Sequence, residues 1–154
     1  MDVPVAHQEI ERLKEQGLHA FRAGELGPAE EAFCQALELL ERQGDRAGVA
    51  EMLANLGVVH IQARQFDQAE EELTRALETF RALSLRSQEA QALGNLGTLK
   101  ERAGQAEAAA QHYRESASIF EELGELENLQ ATLGALAQLQ LGQRKWLQSL
   151  FSYE

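Results

Sequence analysis

Residues 53–57 read Leu53-Ala54-Asn55-Leu56-Gly57, and forty residues later the chain reads Leu93-Gly94-Asn95-Leu96-Gly97. The same interval joins Gly17 to Gly57 and Gly97, and Ala29 to Ala69 and Ala109. Leu13, Leu53, Leu93 and Leu133 share it. So do the bulky Phe33, Leu73 and Tyr113, and the small Ala36, Ala76 and Ser116. Five columns at one interval define an internal repeat. Units of this length bury their apolar faces against their neighbours rather than alone. One phase accounts for all 154 residues: units at 10–49, 50–89 and 90–129, then a truncated copy at 130–154 that opens with Leu133, Leu136 and Ala137.

Each unit reads as two helices. Ala, Leu, Glu and Gln, all strong helix formers, supply 86 of the 154 residues, and strand formers are scarce. Leu13, Gly17 and Ala20 fall on one helical face, and Ala29, Ala32, Phe33, Ala36, Leu37 and Leu40 form a second stripe. Ala23-Gly24 ends the first helix, Pro28 opens the next at a favourable first-turn position, and Gly44-Asp45 ends that one. The pattern predicts further helices from Ala50 to Ala63, Phe66 to Leu83, Ser87 to Ala103 and Ala106 to Leu123. Residues after Gly142 read as a shortened second helix of the fourth unit. Short loops force neighbouring helices antiparallel. The small pairs Gly17/Ala29, Gly57/Ala69 and Gly97/Ala109 let them approach closely, and a larger residue there should push them apart. The expected fold is all-α: one domain over 1–154, an α-solenoid of about three full helical hairpins plus a truncated fourth.

A small residue, Ala twelve on, an aromatic or Leu four further on, and a small residue three beyond that: this resembles the tetratricopeptide repeat. The usual repeat is about 34 residues; the 40-residue form here is similar to the repeats of the Pins/LGN and kinesin light chain groups, and to bacterial peptide-sensing regulators of the Rap type. The Asn-Leu-Gly at 55–57 and 95–97 matches the Pins/LGN group. The resemblance implies a right-handed superhelical arc with first helices lining a concave groove and second helices forming the back. On that basis the peptide-binding groove is expected at Lys14, Leu18, Phe21, Arg22, Asn55, Val58, Gln62, Asn95, Thr98, Arg102 and Gln138, with Ile61, Glu101, Gly134 and Leu141 beside them. Asn amides can donate to and accept from a peptide backbone, and Arg22 and Arg102 can hold carboxylates bidentately. Gly94 and Gly134 leave room for a bulky ligand side chain. Co-chaperones of this fold hold acidic tails with a Lys/Asn/Lys/Arg clamp. At the matching places stand Lys14, Leu18, Asn55, Gln91 and Asn95, of which only Lys14 and Asn55 fit, so that clamp is not expected.

Charge and composition narrow the function further. The net charge of −11 argues against general nucleic-acid or anionic-membrane binding. The second-helix segments 28–43, 66–83 and 106–122 each carry −3, against +1, −1 and 0 for the first-helix segments 10–23, 48–63 and 88–103. An acidic back and a near-neutral groove follow. Cys34 is the single cysteine, so no intrachain disulfide forms, which fits a reducing compartment. The first eight residues lack a signal-peptide pattern and no apolar run reaches membrane-span length, so a cytoplasmic location is expected.

No catalytic or metal constellation emerges. His7, His19, His60 and His112 do not pair at metal-ligand spacing, and HExxH, CxxC, GxGxxG and Walker loops are absent from the sequence. His60 reads as a packed histidine, Cys34 as a small core or boundary residue, and Glu70-Glu71-Glu72 and Glu121-Glu122 as solvated helix surface. Neither an enzyme nor a cofactor is expected. The C-terminal stretch concentrates Trp146, Leu147, Leu150, Phe151 and Tyr153, which either cap the stack, mark a longer array, or expose a homodimer contact at Trp146, Leu150 and Phe151. The leading function is a non-catalytic scaffold that binds a peptide or helix of a protein partner. The alternatives are a sensor domain that binds a signalling peptide and controls an output protein, and a self-associating spacer.

Overall fold

The computed structural model describes residues 2–152, which form seven α-helices and no strand. The chain divides between Ser84 and Leu85 into two compact units. The first contains α1 (Val3–Arg22), α2 (Leu26–Gln43), α3 (Arg46–Gln62) and α4 (Phe66–Ala82). The second contains α5 (Arg86–Arg102), α6 (Ala106–Leu123) and α7 (Leu126–Phe151). Within each unit consecutive helices pack on one another, giving an all-α helical-hairpin architecture. No helix among the described residues is long and apolar enough to cross a membrane.

The turns keep the forty-residue interval in their backbone angles. Gly24, Arg64 and Gly104 take positive φ inside the hairpins, and Gly44, Ser84 and Gly124 take it between successive second and first helices. Around Gly24 the Glu25 amide donates to the Ala20 carbonyl (2.9 Å) and the Gly24 amide to the Phe21 carbonyl (3.0 Å), the paired bonds of a Schellman stop. The same long bond recurs from Gln65 to His60 and from Gln105 to Lys100, both 2.8 Å. Arg64 and Ser84 therefore enter the left-handed region because the motif requires it, against the Cβ clash that makes it unfavourable for L-residues. Two helices start earlier than the sequence suggests. Helix α2 begins at Leu26, so Pro28 is its third residue, and α3 begins at Arg46, where the Asp45 side chain caps by accepting from the Gly48 amide (2.9 Å).

The expected break after Gly142 is absent. Helix α7 runs unbroken for 26 residues through Gly142, so the expected eighth-helix stub is its C-terminal half. In the other hairpins the reversal is offset by burial of a stripe such as Ala29, Ala32, Phe33, Ala36 and Leu40. The equivalent positions within α7 and just past it hold Ser149 and Ser152, with Tyr153 outside the described residues. Gln143, Arg144 and Lys145 are good helix formers that tolerate one helical glycine, so the helix continues.

The core sits between paired helices and centres on the repeat columns. Phe33, Leu73 and Tyr113 are buried, each against the glycine of the preceding helix. A Cβ on Gly17 would stand 2.5 Å from the Phe33 ring, one on Gly57 2.6 Å from Leu73, and one on Gly97 2.6 Å from the Tyr113 ring. The close approach foreseen at the glycines is real, and the group that fills it is the bulky residue four positions beyond the alanine. Gly17→Val is expected to lose about 3 kcal/mol, the upper range for overpacking a core. Gly134→Ala, on a helical glycine with nothing within 4 Å, is expected to gain up to about 1 kcal/mol from helix propensity. Denaturant unfolding of the two variants beside the parent checks both signs.

Candidate binding surface

In the first unit, α1 and α3 carry the residues expected in the groove. Leu18 and Arg22 are exposed, Phe21, Asn55 and Val58 are half-buried, and Gln62 is exposed. Ile61 is not on this surface. It is 2% exposed, because its position on α3 turns it into the core. Lys14 is half-buried and engaged, with Nζ 3.2 Å from Glu51 and 3.4 Å from Glu11. Burial pushes its ammonium down, but Glu51 and then Glu11 outweigh this and hold its pKa above the usual lysine value. Lys14 thus links α1 to α3 as well as facing outward.

The structure brings Phe21, Arg22 and Gln62 together. With Gly24 and Leu26 they line a surface pocket of about 430 Å³ where the first hairpin's turn meets the end of α3. A second pocket of about 470 Å³ lies in the other unit, lined among others by Glu101, Gly104, Ala106, Gln138, Gly142 and Trp146. Phe21/Glu101, Gly24/Gly104, Leu26/Ala106 and Gln62/Gly142 are each separated by twice the repeat interval. The pocket thus recurs at equivalent repeat positions, built in each unit by a hairpin turn and the following first helix, and sequence differences reset its polarity. From the sequence, Phe21, Arg22, Gln62, Glu101 and Gln138 were expected on a common face, but Gly24, Leu26, Gly104, Ala106 and Gly142 were not, Trp146 was expected at an oligomer contact, and nothing signalled a concavity at the turn.

In the second unit Asn95 and Thr98 are half-buried, and Arg102 and Gln138 are exposed. Thr98 has an internal role: its hydroxyl donates to the Gly94 carbonyl (3.2 Å) and lies 3.2 Å from the Tyr113 hydroxyl. Tyr113 in turn donates to Glu101 (2.9 Å). Burial first, then Glu101 against the opposing Thr98 bond, push the Tyr113 hydroxyl up to about 12. Gly134 is exposed, with nothing within 4 Å of where a Cβ would stand.

Two polar residues behave differently from their reading in the sequence. Glu72 is not solvated surface: it is 9% exposed, and its carboxylate pairs with Nδ1 of His60. His60 is buried between α2 and α4, with Nε2 3.3 Å from the Glu30 carboxylate. Burial is the main cause that raises the Glu72 pKa, and it outweighs the His60 contact. Cys34 is exposed rather than core. Partial burial, Glu30 and Glu72 raise its thiol pKa, which keeps it protonated and a poor nucleophile.

Residues 9–82 match the tetratricopeptide repeat family. Those residues are tetratricopeptide repeats. The tetratricopeptide repeat fold also recurs among solved structures. A Rap protein complexed with Competence and Sporulation Factor is similar at 19% identity and a TM-score of 0.81, over 94% of this chain and 42% of the Rap chain. The chain thus spans under half of that protein's length. The tetratricopeptide repeat domain of Arabidopsis FLU aligns at 21% identity and a TM-score of 0.70, over 76% of this chain and 98% of the domain. The N-terminal domain of stress-induced protein-1 from C. elegans aligns at 16% identity and a TM-score of 0.61, over 86% and 98% respectively. No curated protein matches the sequence.

Tyr113 offers a direct check on this geometry. Its folded pKa lies above the ordinary value of 10, so the unfolded chain releases the proton first as pH rises. The stability that Tyr113 contributes is complete below about pH 10 and is lost as pH climbs from 10 towards 12. Ultraviolet titration in a Tyr153→Phe background should place its ionisation near pH 12, and Tyr113→Phe should remove that step.

Proposed function

We propose that this tetratricopeptide repeat protein is a non-catalytic interaction module whose first-helix surfaces hold an extended or helical segment of a partner protein. The observation that carries the reading is the recurring turn-end pocket, which gathers Phe21, Arg22 and Gln62 in one unit and Glu101 and Gln138 in the other. Such a pocket pairs an apolar floor with a few convergent polar groups, the usual composition of a recognition site. Asn55 and Asn95 stand half-buried at equivalent repeat positions. Each amide offers donors and an acceptor, the complement of a peptide backbone. Val58 and Leu18 supply apolar contact, and Arg22 and Arg102 supply charge for an acidic group.

Affinity capture with the parent and the Asn55→Ala/Asn95→Ala double variant tests the reading. Partner capture should be lost while the melting temperature stays within about 4 °C, since both side chains are partly exposed. Unchanged capture would move the binding surface elsewhere.

A second reading draws on the likeness to the Rap protein complexed with a factor. In it the module senses a signalling peptide and relays the event to an output protein. Small-angle scattering separates the two: a ligand-dependent change in radius of gyration supports sensing, and an unchanged profile with peptide bound supports simple docking.

A further inference from the structure

The ring of His60 meets a carboxylate at each of its nitrogens. Nδ1 pairs with Glu72 of α4, and Nε2 stands 3.3 Å from Glu30 of α2. The side chains of His60 and Glu72 are 2% and 11% exposed, while that of Glu30, at 45%, opens the cluster to solvent. Nε2 is itself buried and has no hydrogen-bond partner among the described residues. The two helices packed on α3 bring further acidic groups. Helix α2 contributes Glu30 and Cys34, and α4 contributes Glu71 and Glu72. Glu30 and Glu71 act on Glu72 in the same sense as burial, towards its protonated form. No Lys or Arg pairs with Glu30 or Glu72 among the described residues.

With ordinary protonation this cluster is one proton short. A neutral imidazole has one N–H and one bare lone pair. When both carboxylates are ionised, one ring nitrogen donates to its acid and the other turns its lone pair on a carboxylate oxygen. That contact is repulsive, and a buried site screens it poorly. One added proton removes it in either of two placements. On the ring, it gives an imidazolium that has an N–H for Glu72 and another for Glu30. On Glu72, it gives a carboxyl that donates to Nδ1 and leaves an N–H at Nε2 to face Glu30. Both placements cancel one of the two negative charges, and in so coupled a cluster the proton belongs to the group rather than to one residue.

We propose that Glu30, His60 and Glu72 form a buried proton-binding site, which the first unit fills as it folds. The unfolded chain does not hold this proton at neutral pH, because a free histidine releases it near about pH 6.5 and a free glutamate near about pH 4.3. Folding above about pH 7 therefore takes up a proton, and the native state binds more protons than the unfolded one. Stability then falls as pH rises, until the folded cluster also lets the proton go. The site has a place beside the candidate binding surface. Glu30 lies one helical turn after Leu26, and His60 lies two residues before Gln62, so the proton ties α2 to α3 next to the lining of the turn-end pocket. The site is independent of what that pocket binds.

Denaturant unfolding of the full chain, followed by circular dichroism between about pH 7 and 8.5, tests the proposal. A Cys34→Ser background removes the thiol, whose raised pKa would add a slope of the same sign. The unfolding equilibrium constant should rise roughly tenfold per pH unit, about 1.4 kcal/mol, while one full proton is exchanged. Glu30→Gln and Glu72→Gln each place a neutral amide beside a ring nitrogen, and an amide can donate to a bare lone pair or accept from an N–H. Either variant should therefore fold around a neutral imidazole and cut the rise to less than about twofold per unit, whatever its stability at pH 7. Glu30→Gln disturbs packing less, since that side chain is 45% exposed, and it decides the matter alone if Glu72→Gln does not fold. A parent without the slope overturns the proposal, as does a slope that a folded variant leaves intact.

Discussion

Every hairpin in this protein depends on one contact: a bulky side chain of the second helix resting on the bare backbone of the first. Phe33 on Gly17, Leu73 on Gly57 and Tyr113 on Gly97 each occupy the space a Cβ would take. The contact sets the spacing of the pair, and the spacing in turn decides which neighbouring side chains interlock. Ser116 illustrates the second step. Its small side chain is fully buried, and its hydroxyl donates to the Ala90 carbonyl (2.7 Å), which a larger residue at that position would prevent. Helix propensity alone would give the same helices with no fixed distance between them; the glycine columns supply the distance.

The surface follows from the same geometry. Each unit has a hairpin turn that closes through a left-handed glycine, and a pocket forms where that turn meets the following first helix. What varies is the lining: Phe21, Arg22 and Gln62 in one place, Glu101, Gln138 and Trp146 in the other. The repeat thus supplies position, and substitutions within it supply chemistry, which is how one architecture can serve unrelated partners.

The fold was legible in the sequence because a repeat multiplies weak signals. Glycine, alanine and bulky columns at forty-residue spacing gave the hairpins, their order and their close approach. The boundaries were read less well where local chemistry overruled a punctuating residue. Gly142 looked like a stop because Gly24 and Gly104 are stops, yet the helix formers Gln143, Arg144 and Lys145 carry α7 straight through it. Ile61 and Glu72 failed for a related reason. Ile61 lies on α3, which packs against both α2 and α4, and Glu72 turns inward to meet His60, so the simple division into an inner and an outer face breaks down. The buried histidine was anticipated, but its two carboxylate neighbours come from other helices and have no adjacent signature.

The buried pairing of His60 with Glu72 has a consequence for how this sequence can change. Each side chain makes the other tolerable in the core. Removing His60 strands a carboxylate that burial already disfavours, and removing Glu72 leaves a histidine facing Glu30 alone. Single replacements at either position are costly, whereas a joint replacement by apolar residues of matching volume is far less so. The two positions, twelve residues apart on adjacent helices, therefore form one unit of variation: the chain keeps both or exchanges both together.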